Sequence, residues 1–487
     1  MTLSYIPSDT NDEGILKATA SGVLPSGQPV VVNADGTVSA ISATAGGPSF
    51  GSPTVFQAAE SIYQSSAFDS NLNKVVISYR NSGISDKGYA VVGTVSGSSI
   101  SFGTPVQFNN GSTNYTSMTF DSNSNKIVIA YQDGGNSSYG TAIVGTVSGT
   151  SISFGSEVVF NSGNSDYITS TFDSSNNKVV IAYRDQGNSA QGTAIVGTVS
   201  GTGISFGSEV VYNTGQSPFN GSTFDSNSNK VVIVYRDDGN SSRGTAIVGT
   251  VSGTNISFGS EVVFDQLRSD GNVATFDSNS NKVVVAYQDP NNTDAAQAIV
   301  GTVSGTSISF GTAVVIDTSA SNFFAATFDS NSNKVLVSYI DAGNSNYGTS
   351  VFGTVSGTSI SFGTPLVFNS ASTVNGYLNS TFDSNSNAIV VSFRNSGNSS
   401  YGTSVVFQAS STNLTAENYI GISTGGTYAS GSNATVKIIG NTSNDQSSLT
   451  AGQAYYVQTD GTIGTTAADP SVFAGTAISA TKLIVKT

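Results

Sequence analysis

The sequence predicts an all-β fold, a seven-bladed β-propeller inserted in a small discontinuous β-domain. Two repeated tripeptides predict the blades. Phe-Asp-Ser recurs at steps of 52 residues with a last step of 54, and its phenylalanines are Phe68, Phe120, Phe172, Phe224, Phe276, Phe328 and Phe382. Ser-Phe-Gly has the same period, with Phe50, Phe102, Phe154, Phe206, Phe258, Phe310 and Phe362. A unit of this length holds four short strands, and seven such units close into a ring.

The offset between the two repeats predicts how the ring closes. The chain enters on the Ser-Phe-Gly of Phe50 and leaves after the Phe-Asp-Ser of Phe382. The first segment therefore completes the last blade, and this clasp leaves no open edge strand. We expect the propeller to span residues 48–408, with residues 1–47 and 409–487 forming the two parts of the flanking domain.

The third repeat shows the strand pattern expected of every blade. Its strands are predicted at 167–172, 179–183, 193–199 and 204–212, and the run Val179–Tyr183 is apolar throughout, as in a strand packed on both faces. The turns after the first and third strands hardly change between repeats. The segments after the fourth strand vary freely. We therefore expect these segments to be loops on one variable face that carries the binding site.

Composition excludes several kinds of chemistry. The 487 residues include no histidine and no cysteine, which excludes His- or Cys-dependent nucleophiles, thiolate or imidazole metal sites and disulfides. The formal charge of −14 disfavours binding to nucleic acid. No repeated aspartate stands apart as a catalytic carboxylate. We expect a protein that is not an enzyme, with no catalytic residue, no metal and no cofactor.

An aromatic position precedes each Phe-Asp-Ser by five residues. It starts the innermost strand on the variable face, and six of its seven members are aromatic: Tyr63, Tyr115, Tyr167, Phe219, Phe323 and Tyr377, with Gly271 as the exception. Such a ring is suited to stacking on sugars around the mouth of the channel. Packing between blades is the alternative, and the sequence favours it slightly.

Arginine is concentrated at the end of the second strand. Four of the six arginines in the chain share this register, namely Arg80, Arg184, Arg236 and Arg394, beside Gln132, Gln288 and Ile340 in the other repeats. Bracing of loops is the simpler interpretation. Recognition of acidic glycans is the more specific one, because guanidinium groups bind carboxylates in a bidentate manner.

Two Asp-rich segments look like known ion or enzyme motifs but are better explained as turns. Asp121-Ser-Asn-Ser-Asn-Lys matches the start of a calcium loop, yet Lys126 stands where that loop needs glycine. The sequence leaves calcium binding there open, and we expect the lysine to pair with the aspartate. Asp185-Gln-Gly-Asn-Ser resembles the Asp-box of sialidase propellers without its aromatic anchor.

The flanks share a phrase and carry a resemblance. Gly27-Gln-Pro-Val-Val-Val-Asn-Ala-Asp-Gly-Thr-Val parallels Gly452-Gln-Ala-Tyr-Tyr-Val-Gln-Thr-Asp-Gly-Thr-Ile, and each predicts a strand entering an Asp-Gly hairpin. With the segments that begin at Asn413 and Ala468, these flanks resemble virion structural proteins of tailed, notably marine, bacteriophages. The propeller repeat is similar to repeats in the same kind of protein.

The resemblance implies a capsid-surface or tail-appendage protein, such as a capsid decoration protein or a tail fiber. Its flanking domain would dock on the particle, and its propeller would meet a host surface or other virion proteins. No stretch is long enough to span a membrane, and the first ten residues lack the pattern of a signal peptide, so we expect assembly in the host cytoplasm. The expected partners are other virion proteins and, as a further candidate, host surface glycans. The chain itself is expected to be a homo-oligomer or to be present in multiple copies on the particle. A glycan-binding lectin or a carbohydrate-active propeller enzyme is the alternative.

Overall fold

The computed structural model describes residues 14–33, 35–41, 48–373, 377–408, 414, 417–458, 461–467 and 471–486. The first ten residues, where the sequence shows no signal-peptide pattern, lie outside these residues. So do Ala34, Thr459 and Asp460 of the two predicted hairpins and the starts of the segments at Asn413 and Ala468. The chain divides into two compact units, one formed by Met1–Pro48 and Ala409–Thr487 and the other by Ser49–Gln408. Among the described residues, no helix has the length and apolar character needed to cross a bilayer.

Strands account for almost all regular structure that is described. The first unit begins with β1 (Ile15–Thr19), β2 (Pro29–Val32) and β3 (Val38–Ala40). The second unit begins with β4 (Ser49–Phe50), β5 (Thr54–Asp69), β6 (Lys74–Asn81), β7 (Lys87–Ser96), β8 (Ser99–Phe102), β9 (Val106–Asp121), β10 (Lys126–Asp133), β11 (Tyr139–Ser148) and β12 (Ser151–Phe154). It continues with β13 (Val158–Asp173), β14 (Lys178–Asp185), β15 (Gln191–Ser200), β16 (Gly203–Phe206), β17 (Val210–Gln216), β18 (Gly221–Asp225), β19 (Lys230–Asp237), β20 (Arg243–Ser252) and β21 (Asn255–Phe258).

The remaining strands follow the same order along the chain. The second unit ends with β22 (Val262–Arg268), β23 (Asp270–Asp277), β24 (Lys282–Asp289), β25 (Ala295–Ser304), β26 (Ser307–Phe310), β27 (Val314–Asp329), β28 (Lys334–Asp341), β29 (Tyr347–Ser356), β30 (Ser359–Phe362), β31 (Leu366–Ser372), β32 (Asn379–Asp383), β33 (Ala388–Asn395) and β34 (Tyr401–Gln408). The first unit resumes with β35 (Tyr419–Thr424), β36 (Asn433–Lys437), β37 (Thr442–Ser443), β38 (Ala454–Val457), β39 (Ile463–Gly464), β40 (Val472–Ser479) and β41 (Lys482–Val485). Short 3-10 turns lie at Ser82–Ile84, Gln186–Asn188, Asp238–Asn240, Ala342–Asn344 and Ser396–Asn398.

The second unit repeats one antiparallel sheet and is a β-propeller. In the third repeat the end of β13 pairs with β14, β14 pairs with β15, and β15 pairs with both β16 and β17. The outer strand is therefore made of two pieces. The second piece continues toward the innermost strand of the next sheet.

The variable segments between repeats are extended chain in several places, which corrects the expectation of loops. β5, β9, β13 and β27 each run without a break over 16 residues, from the outer edge of one sheet to the innermost strand of the next. The reason is that both neighbours supply backbone partners: Asn164 pairs with Tyr139 of the preceding sheet, and Ser165 pairs with Asp185 of its own. Sequence variation there changes side chains on a regular backbone.

The hydrophobic core lies between successive sheets. Val179, Ile181 and Tyr183 of β14 pack in one cluster, and Val180 and Ala182 pack in the next. All five are at most 1% exposed. Because side chains alternate across a strand, this continuous apolar run fills the space on both faces of its sheet.

The last sheet is completed by the start of the propeller sequence. β34 pairs with β33 on one side and with β4 and β5 on the other, so that Phe407 lies opposite Phe50 and Thr403 opposite Val55. This is the pairing that the offset of the two repeats predicted. It gives the outer side of β34 a backbone partner, which an edge strand lacks.

The Asp-Ser-Asn turns are held by the aspartate itself. Oδ1 of Asp121 accepts hydrogen bonds from the backbone N–H groups of Asn123 (2.9 Å) and Ser124 (3.0 Å), and the same bonds recur in the other repeats. The sequence predicted that the lysine of this turn pairs with the aspartate, and this prediction is wrong. In the first repeat Nζ of Lys74 instead donates to Thr94 Oγ1 at 2.9 Å. All ion pairs among the described residues involve arginine.

The first unit contains two sheets with the same topology. One has the order β1-β36-β35-β2-β3, and the other has the order β37-β41-β40-β38-β39. Numbered along the chain within each sheet, both orders are first, fifth, fourth, second, third. The two hairpins predicted from the shared phrase are β2–β3 and β38–β39.

Equivalent details show that the two sheets are copies of one module. Gly421 and Gly475 have φ angles of 152° and 153°, and a Cβ atom on either would lie about 2 Å from a backbone oxygen of the adjacent strand (2.1 Å from Lys437 O and 2.0 Å from Ile484 O). Each interrupts the register with the neighbouring hairpin strand. The propeller sequence is therefore inserted between the third and fourth strands of the first copy. One core holds residues of both sheets, including Ile422 and Leu483.

Candidate binding cavity

Six aromatic side chains form a collar around one end of the central channel. The collar consists of Tyr63, Tyr115, Tyr167, Phe219, Phe323 and Tyr377, all of them half-buried. Successive rings touch, with centroid distances of 4.9 Å for Tyr63–Tyr115, 5.3 Å for Tyr115–Tyr167, 5.0 Å for Tyr167–Phe219, 5.6 Å for Phe323–Tyr377 and 4.3 Å for Tyr377–Tyr63. The contacts run around the channel except at Gly271, which separates Phe219 from Phe323 in the sequence order.

The collar residues have an uncommon backbone conformation. Their φ angles are positive where the structure gives them, from 46° at Tyr167 to 59° at Phe219, and Gly271 has 63°. Bulky residues rarely adopt this region, which costs of order 1 kcal/mol or more per residue. In the sheets the register shifts at this point, for example between Asp166 and Thr169. This bulge turns each ring away from the sheet and toward the channel.

The collar surrounds a cavity of about 520 Å³. The walls come from the same register of the innermost strand in all seven sequence repeats, four to five residues from each. Below the rings the lining is mostly small and polar. Hydroxyl groups are linked across neighbouring strands, as in Ser117–Ser170 (3.0 Å) and Thr169–Ser222 (2.8 Å).

Three tyrosines of the collar, Tyr115, Tyr167 and Tyr377, are held in the neutral form because their pKa values are raised. Burial, followed by the neighbouring Tyr63, raises the pKa of both Tyr115 and Tyr377 above the usual tyrosine range. Burial also raises the pKa of Tyr167, although Arg184 opposes it. The rings therefore offer apolar faces and neutral hydroxyl groups to the cavity.

The arginines of the second-strand register lie on the outer side of the collar. Arg80, Arg184 and Arg236 stack over Tyr63, Tyr167 and Phe219, with guanidinium-to-centroid distances of 5.1, 4.7 and 4.9 Å. Such contacts hold both partners in place. The aromatic and arginine positions found in the sequence thus belong to one layered arrangement.

Each of these arginines is also neutralised by a carboxylate. Arg184 makes a bidentate pair with Asp166 at 2.7 Å for both bonds, and Arg236 pairs with Asp238 at 2.7 Å and with Asp270 at 2.5 Å. The other two pairs are Arg80–Asp86 (3.3 Å) and Arg394–Glu60 (2.6 Å). Because the charges of these four arginines are compensated in this way, they do not favour an acidic ligand.

Three polar atoms that line the cavity have no hydrogen-bond partner among the described residues. They are Oε1 of Gln64, Nδ2 of Asn272 and Oδ1 of Asn322. Each of these three atoms has almost no accessible surface, so a molecule in the cavity does not touch it. Buried polar groups are nearly always paired, and an unpaired one costs about 1–3 kcal/mol. The groups that the cavity presents to a ligand are instead the rings of the collar and the hydroxyl groups below them.

Sequence reasoning missed these three residues. It compared the repeats at the aromatic and arginine positions, where most members agree. Asn272 and Asn322 flank those positions by one residue, and the repeats carry many residue types there. The signal that the sequence did contain was Gly271, the one member of the collar register that is not aromatic and that precedes Asn272 directly.

The Asp-rich segments predicted as turns do not line this cavity. Asp185 caps the 3-10 turn Gln186–Asn188, and its side chain accepts a hydrogen bond from the N–H of Gly187. Over the described parts of the chain, no group of three or more acidic side chains is arranged to hold a metal ion.

Comparisons with known proteins bear on the fold. The sequence matches no family profile and no curated protein. Among solved structures, the BP39L lectin from Burkholderia pseudomallei superimposes with a TM-score of 0.53 at 11% identity, over 73% of this chain and 98% of the lectin. A mutant Aleuria aurantia lectin in complex with Fucα1-6GlcNAc gives 0.42 at 12% identity, over 63% of this chain and 96% of that one. At this identity the first likeness shows a shared β-propeller fold alone.

Proposed function

We propose that this chain is a seven-bladed propeller that binds a neutral saccharide in the cavity enclosed by the collar. The blade count is supported by the seven sequence repeats, all of which contribute the same register to the cavity wall. It is also supported by the pairing of β34 with β4 and β5, which joins the first repeat to the last.

The observation that carries this proposal is the half-exposed aromatic collar above a cavity wall of mostly small polar side chains. Sugars present apolar C–H faces that stack on aromatic rings, and hydroxyl groups that both donate and accept hydrogen bonds. The cavity offers rings at its mouth and, below them, hydroxyl groups such as those of Ser117 and Ser170. Its volume of about 520 Å³ lies within the range of small-molecule sites.

The compensated arginines favour a neutral saccharide over an acidic one. Binding a carboxylated sugar at Arg184 would require its bidentate bonds to Asp166 to break. Breaking a partly buried ion pair leaves one charge without a partner, which is unfavourable. The likeness to the BP39L lectin, a protein of similar fold, is consistent with this function.

We propose binding without catalysis. Glycoside hydrolysis uses two carboxyl groups that face each other across the scissile bond. The carboxylates beside the collar, Asp166 and Asp270, are instead each bonded to arginine. Attachment to a virion, with virion proteins as partners, stays a prediction from the resemblance of the flanks, and none of the comparisons tests it.

The experiment is a glycan array with the full chain, followed by calorimetric titration of the saccharides that bind. The first variants are Tyr115→Gly and Tyr167→Gly, because Gly271 already occupies this register and tolerates the positive φ. We expect each variant to weaken binding roughly tenfold. The reason is that stacking of a ligand ring on one aromatic side chain is worth about 1–3 kcal/mol.

The matched control is Tyr139→Ala. Tyr139 begins the third strand, where other repeats carry Lys87, Gln191 and Arg243, so tyrosine is not required there. Affinity equal to that of the unmodified protein is expected for this variant. Failure of the unmodified protein to bind any saccharide, or equal binding by the two collar variants, would refute the proposed function.

A further inference from the structure

We propose that the gap which Gly271 leaves in the collar is a second subsite, where the side-chain amide of Gln288 binds a sugar residue that extends the saccharide held by the collar. This inference rests on the proposed function and narrows its ligand to an oligosaccharide. Gly271 is the one member of the collar register without a ring, and Gln288 lies near the end of the second strand in the same repeat.

The gap lies between two rings of the collar that do not touch. Within the described structure, ring contacts join the other neighbouring collar residues, but none joins Phe219 to Phe323. Gly271 has a positive φ like theirs, so a ring at this position would point into the channel as theirs do. Apart from its chain neighbours, a Cβ atom on Gly271 comes within 4 Å of Phe324 alone, at 3.2 Å from Cδ2. The wall is therefore open down to the strand backbone here.

The cavity extends outward through this gap. Asp270 and Gln288 line it, whereas the residues at the same registers of the third repeat, Asp166 and Arg184, do not. In that repeat the ring of Tyr167 covers Arg184, which stacks on its outer side at 4.7 Å. Among the described residues, Gln288 is the only one from a second strand that lines the cavity. The missing ring thus presents to the cavity a side chain that the collar covers in other repeats.

The amide of Gln288 is free to bind a ligand. Its equivalent in the second repeat, Gln132, accepts a hydrogen bond from Asn114 (3.0 Å) and donates one to Asn164 (2.7 Å). Gln288 makes no side-chain hydrogen bond to any described residue, and its amide atoms are not among the unpaired atoms that lack accessible surface. The residue opposite, Asp270, is bonded to two arginines instead. Both the oxygen and the nitrogen of this amide are therefore accessible from the cavity.

One amide group matches neighbouring hydroxyl groups of a sugar. Its oxygen accepts hydrogen bonds and its NH₂ group donates two, in a fixed planar arrangement, while each hydroxyl group both donates and accepts. The collar supplies ring faces for one sugar residue. The gap supplies a polar group on the outer side of the collar for the next residue. A saccharide chain that leaves the cavity at Gly271 uses both, so we expect oligosaccharides to bind more tightly than single sugars.

The test is calorimetric titration of the full chain. Its probes are the methyl glycosides of glucose, galactose, mannose and N-acetylglucosamine, with the 1-4-linked disaccharide and trisaccharide of each. The quantity compared is the ratio of the disaccharide affinity to the affinity of the matching methyl glycoside. We expect a ratio of roughly ten for the preferred sugar, as for one or two additional hydrogen bonds.

Two variants test the gap and its amide separately. Gly271→Tyr fills the gap with the residue that four other repeats carry, and Gln288→Ile replaces the amide with the residue of the sixth repeat, Ile340. In both variants the ratio should fall to about one, because the second sugar residue loses its contacts. Tyr167→Gly should instead lower both affinities together. Gln107→Val, an exposed change to the residue that six other repeats carry, is the matched control and should retain the ratio.

The outcomes separate this inference from the proposed function. A ratio unchanged in both gap variants, or a ratio of about one in the unmodified protein, would overturn the subsite and leave the saccharide function standing. A ratio that falls in only one of the two variants would overturn the role of the other residue. Absence of binding by the unmodified protein to every saccharide of this panel and of the array would overturn both proposals. Thermal melting of each variant shows whether a loss of both affinities reflects unfolding.

Discussion

At the residue scale, Asp265 shows how one departure from the repeat changes the local electrostatics. Four other repeats carry asparagine at this register (Asn109, Asn161, Asn213 and Asn369), while the first carries Gln57 and the sixth a second aspartate, Asp317. Asn213 donates to Asp237 Oδ1 at 3.0 Å. Aspartate cannot donate this bond, and burial, together with the charge of Asp289, raises the pKa of Asp265 to about 6 although the N–H of Leu267 opposes the shift.

We predict that Asp265→Asn stabilises the protein at neutral pH. A folded-state pKa of about 6 lies above the ordinary value of the unfolded chain, so the native state binds more protons between about pH 4 and pH 6. The ionised carboxylate therefore costs stability that grows as the pH rises through this range. The expected gain for the variant, discounted for partial exposure, is about 1 kcal/mol at pH 7 and close to zero at pH 4.

Urea unfolding at several pH values measures this effect. Asp294→Asn makes the same change of charge in the same repeat and is the control. A constant difference between Asp265→Asn and the unmodified protein from pH 4 to pH 7 would contradict the assignment of the penalty to this carboxylate.

At the element scale, the turn between β9 and β10 explains why an apparent calcium motif has a structural role. Asp121 is 2% exposed, and its Oδ1 already accepts two backbone N–H groups. A calcium site needs six to eight oxygen ligands directed at one point. The carboxylate here is committed to closing the turn.

We predict that calcium leaves the stability of the propeller unchanged. Melting curves of the full chain in millimolar CaCl₂ and in EDTA should have the same Tm, because no carboxylate becomes free to bind the ion. Magnesium chloride at the same ionic strength is the control for screening. A Tm that rises specifically with calcium would show that these turns bind it.

The limits of prediction from the sequence are also clearest at this scale. The apolar run in β14 and the pairing of Phe50 with Phe407 followed from local pattern and from the offset of the repeats. The continuous strands did not follow from these. They depend on backbone partners that a neighbouring repeat supplies, as Tyr139 does for Asn164. The sequence placed the collar residues at one register but left open whether they line a cavity or pack between sheets.

At the scale of the whole molecule, the duplicated module explains how a propeller can interrupt another domain. In the second copy, β39 and β40 are joined by residues 465–471. In the first copy the same connection, between β3 and β35, holds the whole propeller sequence. The module therefore needs only a short link at this point.

We predict that the flanking domain folds without the propeller. In this variant a Gly/Ser linker replaces the inserted residues and joins Ile41 to Leu414. The linker has the same length as the connection in the second copy. The expected product is monodisperse, with the circular dichroism of a β protein and a cooperative melting transition, because both sheets and their shared core remain. A Gly421→Val variant, which places a side chain against Lys437 O, is expected to abolish folding. An unfolded excised chain would show instead that the insert is needed.

The insertion also bears on the kinetics of folding. Closing the ring brings together strands more than 340 residues apart in sequence. This step is slow because the chain loses the entropy of loop closure before any contact stabilises the closed ring. The pairing of β2 with β35 already spans the entire insert. Once that sheet forms, the two ends of the propeller sequence are held at a high effective concentration, much as a covalent cross-link would hold them. The module thus acts as a reversible, non-covalent cross-link. Early folding of the module would speed closure of the ring and slow its opening.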